Sequence, residues 1–208
     1  ILDATSGNAG IAYAMIGAIL GNKVELVMPE NASEERKKRI LAHGAKIIYT
    51  DAQLGHDETL HEVKRIFGTN HSKYFYCDQY NNQNNPQAHY ETTAEEILDQ
   101  AHHITHFVGG VGTGGTISGV GRRLKEENPD IEVVCLDFDE WPGVEGLKPL
   151  GDGHIIPDTF DCSTKSRTAC SNYQNIVFIH VKLLTPKHLI YVEIVYKFPS
   201  IDKLSVNL

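Results

Sequence analysis

The chain has 208 residues, 41% of them hydrophobic, with 19 Lys+Arg against 27 Asp+Glu and a formal net charge of -8. Such a chain can bury a real core as one domain or two small ones, and its acidic balance argues against a nucleic-acid partner. No apolar run approaches the roughly 18 residues of a membrane span, Ile1–Gly10 carries no basic leader, and 4 cysteines make no disulfide framework, so a cytoplasmic, reducing location is expected.

In chain order, short apolar runs alternate with helical patterns. Strands are predicted at Ile1–Leu2, Val24–Met28, Lys46–Thr50, Tyr74–Cys77, Thr105–Val108 and Ile131–Leu136. Each is β-branched or aromatic-rich and nearly continuous in apolar character, as suits strands covered on both faces of a parallel sheet. Helices are predicted at Asn8–Leu20, from a Ser33 cap to His43 with Gly44 beyond, from Asp57 to Gly68, from Asn85-Pro86 through Gln100, and at Thr116–Glu127. The alternation predicts an open, mostly parallel α/β sheet with helices on both faces. Because Ile1-Leu2 reads as the end of a strand, the sequence is expected to begin inside a domain.

Beyond Pro157 the rhythm stops. All 18 glycines lie between Gly7 and Gly153, and residues 162–208 hold 6 Lys+Arg against 2 Asp+Glu. The expected division is therefore an α/β core over residues 1–161 and a divergent tail over 162–208, irregular or poorly ordered. Ile176–Leu184 and Leu189–Phe198 are its strand-like stretches.

In open α/β sheets ligands sit beyond the carboxyl ends of the strands, and two glycine-bearing loops occupy such places. Gly109-Gly110-Val111-Gly112-Thr113-Gly114-Gly115-Thr116 precedes the fifth helix. Its clustered amides and two hydroxyls suit an anion, most naturally a phosphate, though it also reads as a tight strand-to-helix turn. The spacing Gly110-x-Gly112-x-x-Gly115, with Asp137 at the end of the next strand, equally fits a dinucleotide fingerprint and hence an NAD-binding oxidoreductase. The other loop is Thr5-Ser6-Gly7-Asn8-Ala9-Gly10. Its hydroxyls and helix-start amides could hold a carboxylate or simply cap the helix, and Asn8 could meet a ring oxygen.

Thr5–Ala12 resembles the substrate loop of the cysteine synthase (O-acetylserine sulfhydrylase) family, fold-type II pyridoxal-phosphate enzymes like the tryptophan synthase β chain. The resemblance continues through Met28-Pro29-Glu30-Asn31, Ser33–Arg36, Gly44-Ala45-Lys46, Asp78–Asn82, His89–Thr93, Gly112–Thr116 and Gly143–Lys148. It covers residues 1–161, and cystathionine β-synthase shares this core.

The resemblance implies pyridoxal 5'-phosphate as cofactor, its phosphate held by Gly112, Thr113, Gly114, Gly115 and Thr116 and its 3'-hydroxyl by Asn8. It implies a small amino-acid substrate whose carboxylate meets Thr5, Ser6 and Gln79. The reaction implied is replacement of the acetate of O-acetylserine by sulfide to give cysteine, in a homodimer. Ala9 stands where the family usually has Thr. The family's Schiff-base lysine precedes the Thr-Ser-Gly-Asn loop and would fall before Ile1. The first lysine here, Lys23, lies outside that motif, so the chain by itself is expected to be inactive; a lysine-less cofactor-binding pseudoenzyme or partner protein is the alternative.

Other clusters read more simply. His102, His103 and His106 lack an acid or Cys partner at ligand spacing, so no metal is expected. Cys77 and Cys135 read as small buried hydrophobes, Glu34–Arg39 as a solvated helix face and Trp141 as a loop anchor; Cys162 and Cys170 lack the paired spacing of a zinc site.

Overall fold

The computed structural model describes residues 1–138, 146–148, 155, 157–160, 176–184, 189–195 and 204–205. The chain divides into two compact units, Ile1–Gln79 and Tyr80–Leu208, a division the sequence rhythm does not mark.

The first unit is a three-stranded parallel sheet, β1 (Leu2–Ala4), β2 (Glu25–Pro29) and β3 (Lys46–Thr50), in that order. Asp3 lies opposite Leu26, and Val27 opposite Ile48. Three helices connect or follow these strands: α1 (Asn8–Ile19), α2 (Glu34–Ala42) and α3 (Gly55–Thr69). Leu26, Val27 and Met28 are all buried, so β2 is covered on both faces, as its unbroken apolar run predicts.

Helix α1 inverts the usual apolar stripe. Its buried residues are Gly10, Ala14 and Gly17, and a Cβ at Gly17 would collide with the Val24 side chain. Small residues thus let the helix lie close to the sheet. Met15, Ile16 and Ile19 face outward, Ile19 76% exposed, while Ile11 and Tyr13 pack against the core.

Helix α2 begins after Ser33, yet the Ser33 hydroxyl makes no capping bond. The helix is favoured instead by Glu34 and Glu35 in its first turn and Arg39 in its last, which suit the helix dipole. Its solvated face carries the ion pairs Lys37–Glu34 (2.8 Å) and Arg39–Glu35 (2.6 Å). A 3-10 turn at Ala52–Leu54, absent from the sequence reading, leads into α3, and the Asp51 carboxylate accepts the Gln53 N–H at 2.8 Å.

The strand predicted at Tyr74–Cys77 reduces to a single parallel bridge between Tyr76 and Leu2. Leu2 N–H donates to Phe75 O (2.9 Å) and Cys77 N–H to Leu2 O (3.2 Å). The ladder stops because the backbone turns at Asp78, a non-glycine residue with φ of 50°.

The second unit holds α4 (Asn84–Ala88), α5 (Ala94–Gln100), β4 (His106–Gly110), α6 (Gly115–Glu127) and β5 (Glu132–Phe138). The single helix predicted from Asn85 to Gln100 is interrupted by a π turn at His89–Thr93. Its sheet runs β4, β5, β6 (Ile176–Leu184), β7 (Leu189–Val195), β8 (Leu204–Ser205). β4, β5 and β6 are parallel, while β7 and β8 pair antiparallel. Both strand-like stretches expected beyond residue 162 are therefore strands, the second ending at Val195. Trp141, Cys162 and Cys170 lie outside the described residues.

The core of this unit has two parts. Val111, Ile117, Val133, Cys135 and Phe160 form one; Ala94, Val120, Leu124 and Ile131 form the other. At Gly119 a Cβ would stand 2.9 Å from His89 Cβ and 3.0 Å from the Pro86 carbonyl carbon. This glycine is what lets α6 cross α4 at close range.

Candidate functional site

The two loops belong to different units, and each is built by its own neighbours. In the first unit the loop leaves the carboxyl end of β1 and enters α1. Thr5 is buried, and its hydroxyl oxygen accepts the N–H of Gly7 (3.2 Å) and of Gly10 (3.1 Å). It ties the turn to the helix start, the capping role that the sequence left open.

Ser6 is half-buried and no described residue partners its hydroxyl; its carbonyl accepts Arg36 Nη1 at 3.1 Å. Arg36 therefore reaches the loop, while Glu34, Glu35 and Arg39 stay on the solvated face. Asn8 is exposed at the first residue of α1. Gln79 is brought to the same loop from far along the chain: its Nε2 donates to Ala4 O at 2.5 Å and its backbone N–H to Asp3 Oδ2 at 3.2 Å.

In the second unit the glycine loop links β4 to α6. Gly114 takes the left-handed conformation, φ 86°, immediately before the helix. A Cβ at Gly112 would stand 2.8 Å from the Gly146 carbonyl oxygen. The Thr113 hydroxyl accepts Asn85 Nδ2 (2.8 Å) and Gly115 N–H (3.3 Å). A hydroxyl has two acceptor positions and one donor hydrogen. With both acceptor positions filled, the Thr113 hydrogen is left for an acceptor outside this pair.

Thr116 is exposed, and its hydroxyl lies 3.1 Å from His89 Nε2; His89 Nδ1 lies 3.0 Å from Thr93 Oγ1. Burial lowers the His89 pKa and favours the neutral ring. Fully buried Thr159 shares its one hydroxyl hydrogen between Thr113 O at 2.7 Å and Tyr80 O at 3.1 Å, strapping the loop from a third segment.

The sequence reading gives no site role to Asn85, named only as a helix start, to His89, named only within a family motif, or to Thr159. Their roles depend on contacts across 28, 27 and 46 residues, which spacing rules do not reach. Asp3 was also missed, although a carboxylate inside a run of otherwise apolar strand residues is a legible signal. Cys77, expected to be a buried strand residue, is half-buried and bonds Tyr13; burial pushes its thiol up to about 11. Cys135 is fully buried in β5 as expected. Asp137 belongs to β5, and its side chain lies outside the described residues. His106 approaches Glu132 at 3.5 Å, and among the described residues no group of three His, Cys, Asp or Glu could hold a metal. No described helix is long and apolar enough to cross a membrane.

The family "Pyridoxal-phosphate dependent enzyme" matches residues 1–173. A cysteine synthase of Aquifex aeolicus is 50% identical over 171 residues, 81% of this chain and 52% of that protein. Among solved structures, a hydrogen sulfide-producing enzyme of Fusobacterium nucleatum superposes with a TM-score of 0.72 at 36% identity, over 86% of this chain and 60% of that one. O-ureido-L-serine synthase gives 0.70 at 33% identity, over 86% and 56%. The chain thus spans about half the length of the curated relatives it matches.

Pyridoxal 5'-phosphate fits the donor set of the glycine loop. Gly112–Thr116 contributes no carboxylate, Thr113 keeps a hydroxyl hydrogen for an acceptor, and the first-turn amides of α6 have no intrahelical carbonyl to meet. Match, fold and loop chemistry agree: this chain belongs to the family of pyridoxal-phosphate dependent enzymes.

Proposed function

We propose that the chain carries the phosphate-binding and substrate-binding loops of a cysteine synthase-like enzyme. Such an enzyme replaces the β-substituent of O-acetylserine, or of a related β-substituted serine, with sulfide to give cysteine. The observation that carries this reading is the Thr113 hydroxyl, held by Asn85 Nδ2 and the Gly115 amide so that it can only donate outward. When bound, pyridoxal 5'-phosphate supplies an electron sink that makes the substrate's Cα proton and β-substituent labile.

The chain's own residues bind and orient. Thr113 and Thr116, with the amides of Gly112 and Gly114, would hold the phosphate, and Gly115 would complete the cradle through its amide on the Thr113 hydroxyl. Asn8, exposed at the start of α1, would meet the cofactor's 3'-hydroxyl. Ser6 and Gln79 would donate to the substrate carboxylate, while Thr5 keeps the loop closed on Gly7 and Gly10.

The proposal includes a homodimer, and noncovalent cofactor binding by these 208 residues, since the family's lysine precedes the Thr-Ser-Gly-Asn loop and Lys23 follows it. Titration with pyridoxal 5'-phosphate should show saturable binding that inorganic phosphate displaces. Thr113→Val should weaken it about tenfold, the worth of one charge-assisted hydrogen bond. Borohydride should label no single lysine, and sedimentation should give a dimer. Saturable NADH binding abolished by Asp137→Ala, without cofactor binding, would overturn this reading in favour of a dinucleotide site.

A further inference from the structure

We propose that Asp3 is the positioning residue of the substrate-carboxylate loop: its buried carboxyl group clamps Gln79 to the backbone just before Thr5 and Ser6. This inference rests on the reading of Ser6 and Gln79, on the loop that Thr5 closes, as a carboxylate subsite.

Asp3 is fully buried in β1. Its Oδ1 accepts the Ala4 N–H at 2.8 Å and its Oδ2 the Gln79 N–H at 3.2 Å. The Ala4 carbonyl in turn accepts Gln79 Nε2 at 2.5 Å. These three bonds close a ring through Asp3, Ala4 and Gln79. Because the Ala4 carbonyl can only accept, it selects the NH2 end of the Gln79 side chain. The clamp therefore fixes both the place of Gln79 and which end of its amide faces the loop. It also holds the residue that follows Asp78, whose left-handed backbone persists only where its surroundings enforce it.

A line of hydrogen-bonding groups runs away from the clamp. Tyr13, from α1, hydrogen-bonds the Asp3 carboxyl group and also Cys77. The Asp78 charge adds a smaller push that raises the Asp3 pKa. Among the other elements packed on β1, β2 sets Leu26 opposite Asp3 and Glu25 opposite Leu2, Tyr76 bridges Leu2, and the buried residues of α3 are Thr59, Leu60 and Val63. Burial is the main cause that raises Asp3 to about 7, so the clamp changes charge in the neutral range. Ionised Asp3 accepts all three donors but sets a negative charge beside a loop that is to receive a carboxylate. Protonated Asp3 removes that repulsion and must turn its own hydrogen toward Tyr13. Carboxylate affinity should fall as pH rises through neutrality.

The test uses the full chain loaded with pyridoxal 5'-phosphate, isotope-labelled for NMR, with L-serine as probe. The Gln79 backbone and side-chain amide resonances should titrate near pH 7. L-serine affinity should fall about fivefold from about pH 6 to about pH 8, a partly screened like-charge effect. Asp3→Asn should abolish both dependences. Tyr13→Phe, which keeps the packing, should move the midpoint upward, because the Tyr13 hydrogen bond lowers the Asp3 pKa. Gln79 resonances that do not titrate, or that titrate unchanged in Asp3→Asn, would overturn the clamp whatever L-serine does. Titrating resonances with no L-serine binding at any pH would instead overturn the carboxylate reading of the loop.

Discussion

Asp3 makes a prediction about stability that needs no ligand. Its carboxyl pKa rises from 3.8 to about 7 in the fold, chiefly through burial. The folded state then holds its proton more tightly than the unfolded chain, so stability is greatest below the unfolded pKa and declines as pH rises toward 7. Applied to these values, linkage gives a cost of about 2 kcal/mol at about pH 5 and about 4 kcal/mol at about pH 8. Asp3→Asn removes that cost but leaves one N–H donor, Ala4 or Gln79, facing an NH2 group, a loss of about 2 kcal/mol. The variant should therefore be close to wild type at about pH 5 and about 2 kcal/mol more stable at about pH 8. Urea unfolding at intervals across that window measures the difference. A gap between variant and wild type that stays constant across this range would refute the reasoning, since only a group titrating in the window can move it.

Other substitutions separate packing from local preference. Gly68 in α3 has open space where a Cβ would stand, so Gly68→Ala should stabilise by about 0.5–1 kcal/mol, whereas Gly119→Ala gains the same preference but strikes Pro86 and His89, for a net loss of about 1–2 kcal/mol in urea unfolding. Thr159→Val strips the hydroxyl from the Thr113 and Tyr80 carbonyls and should cost about 1–3 kcal/mol. It should also weaken binding of pyridoxal 5'-phosphate, read by cofactor fluorescence. Thr113→Val should weaken that binding about tenfold and, by leaving Asn85 Nδ2 and the Gly115 N–H without their acceptor, lower stability by about 1–2 kcal/mol.

The parts of this fold that depend on neighbours in sequence are legible without coordinates. β3 falls on its predicted residues Lys46–Thr50, and the glycine loop lies between β4 and α6 as expected. The misreadings share a cause in tertiary contact. The Tyr74–Cys77 run has strand-forming residues but only one bridge, because Asp78 turns the chain. The Asn85–Gln100 run is helical as predicted, and what its pattern does not show is the π turn inside it, where Thr92 Oγ1 bonds Ala88 O at 2.6 Å and His89 is engaged by Thr116 of another helix. The candidate site divides in the same way. Its glycines, threonines and Asn8 announce themselves by type and spacing, whereas the residues that aim them, Asn85, Thr159 and Asp3, are ordinary in sequence and significant only in place.

The π turn at His89–Thr93 amounts to about one residue more than an α-helix would need over that span. Each residue of an α-helix advances the direction of its side chains by about 100°. Regularising the turn to α-helix with all its residues kept would rotate everything downstream by about one such step, whereas deleting the extra residue would leave the downstream faces where they are. In that regularised helix Ala94, fully buried against Val120 and Leu124, would give up its position to Thr93. The turn therefore acts as a phase shift between two helical segments. The face of α4 that reaches the glycine loop through Asn85 and the face of α5 that closes the core would be out of step in an unbroken helix.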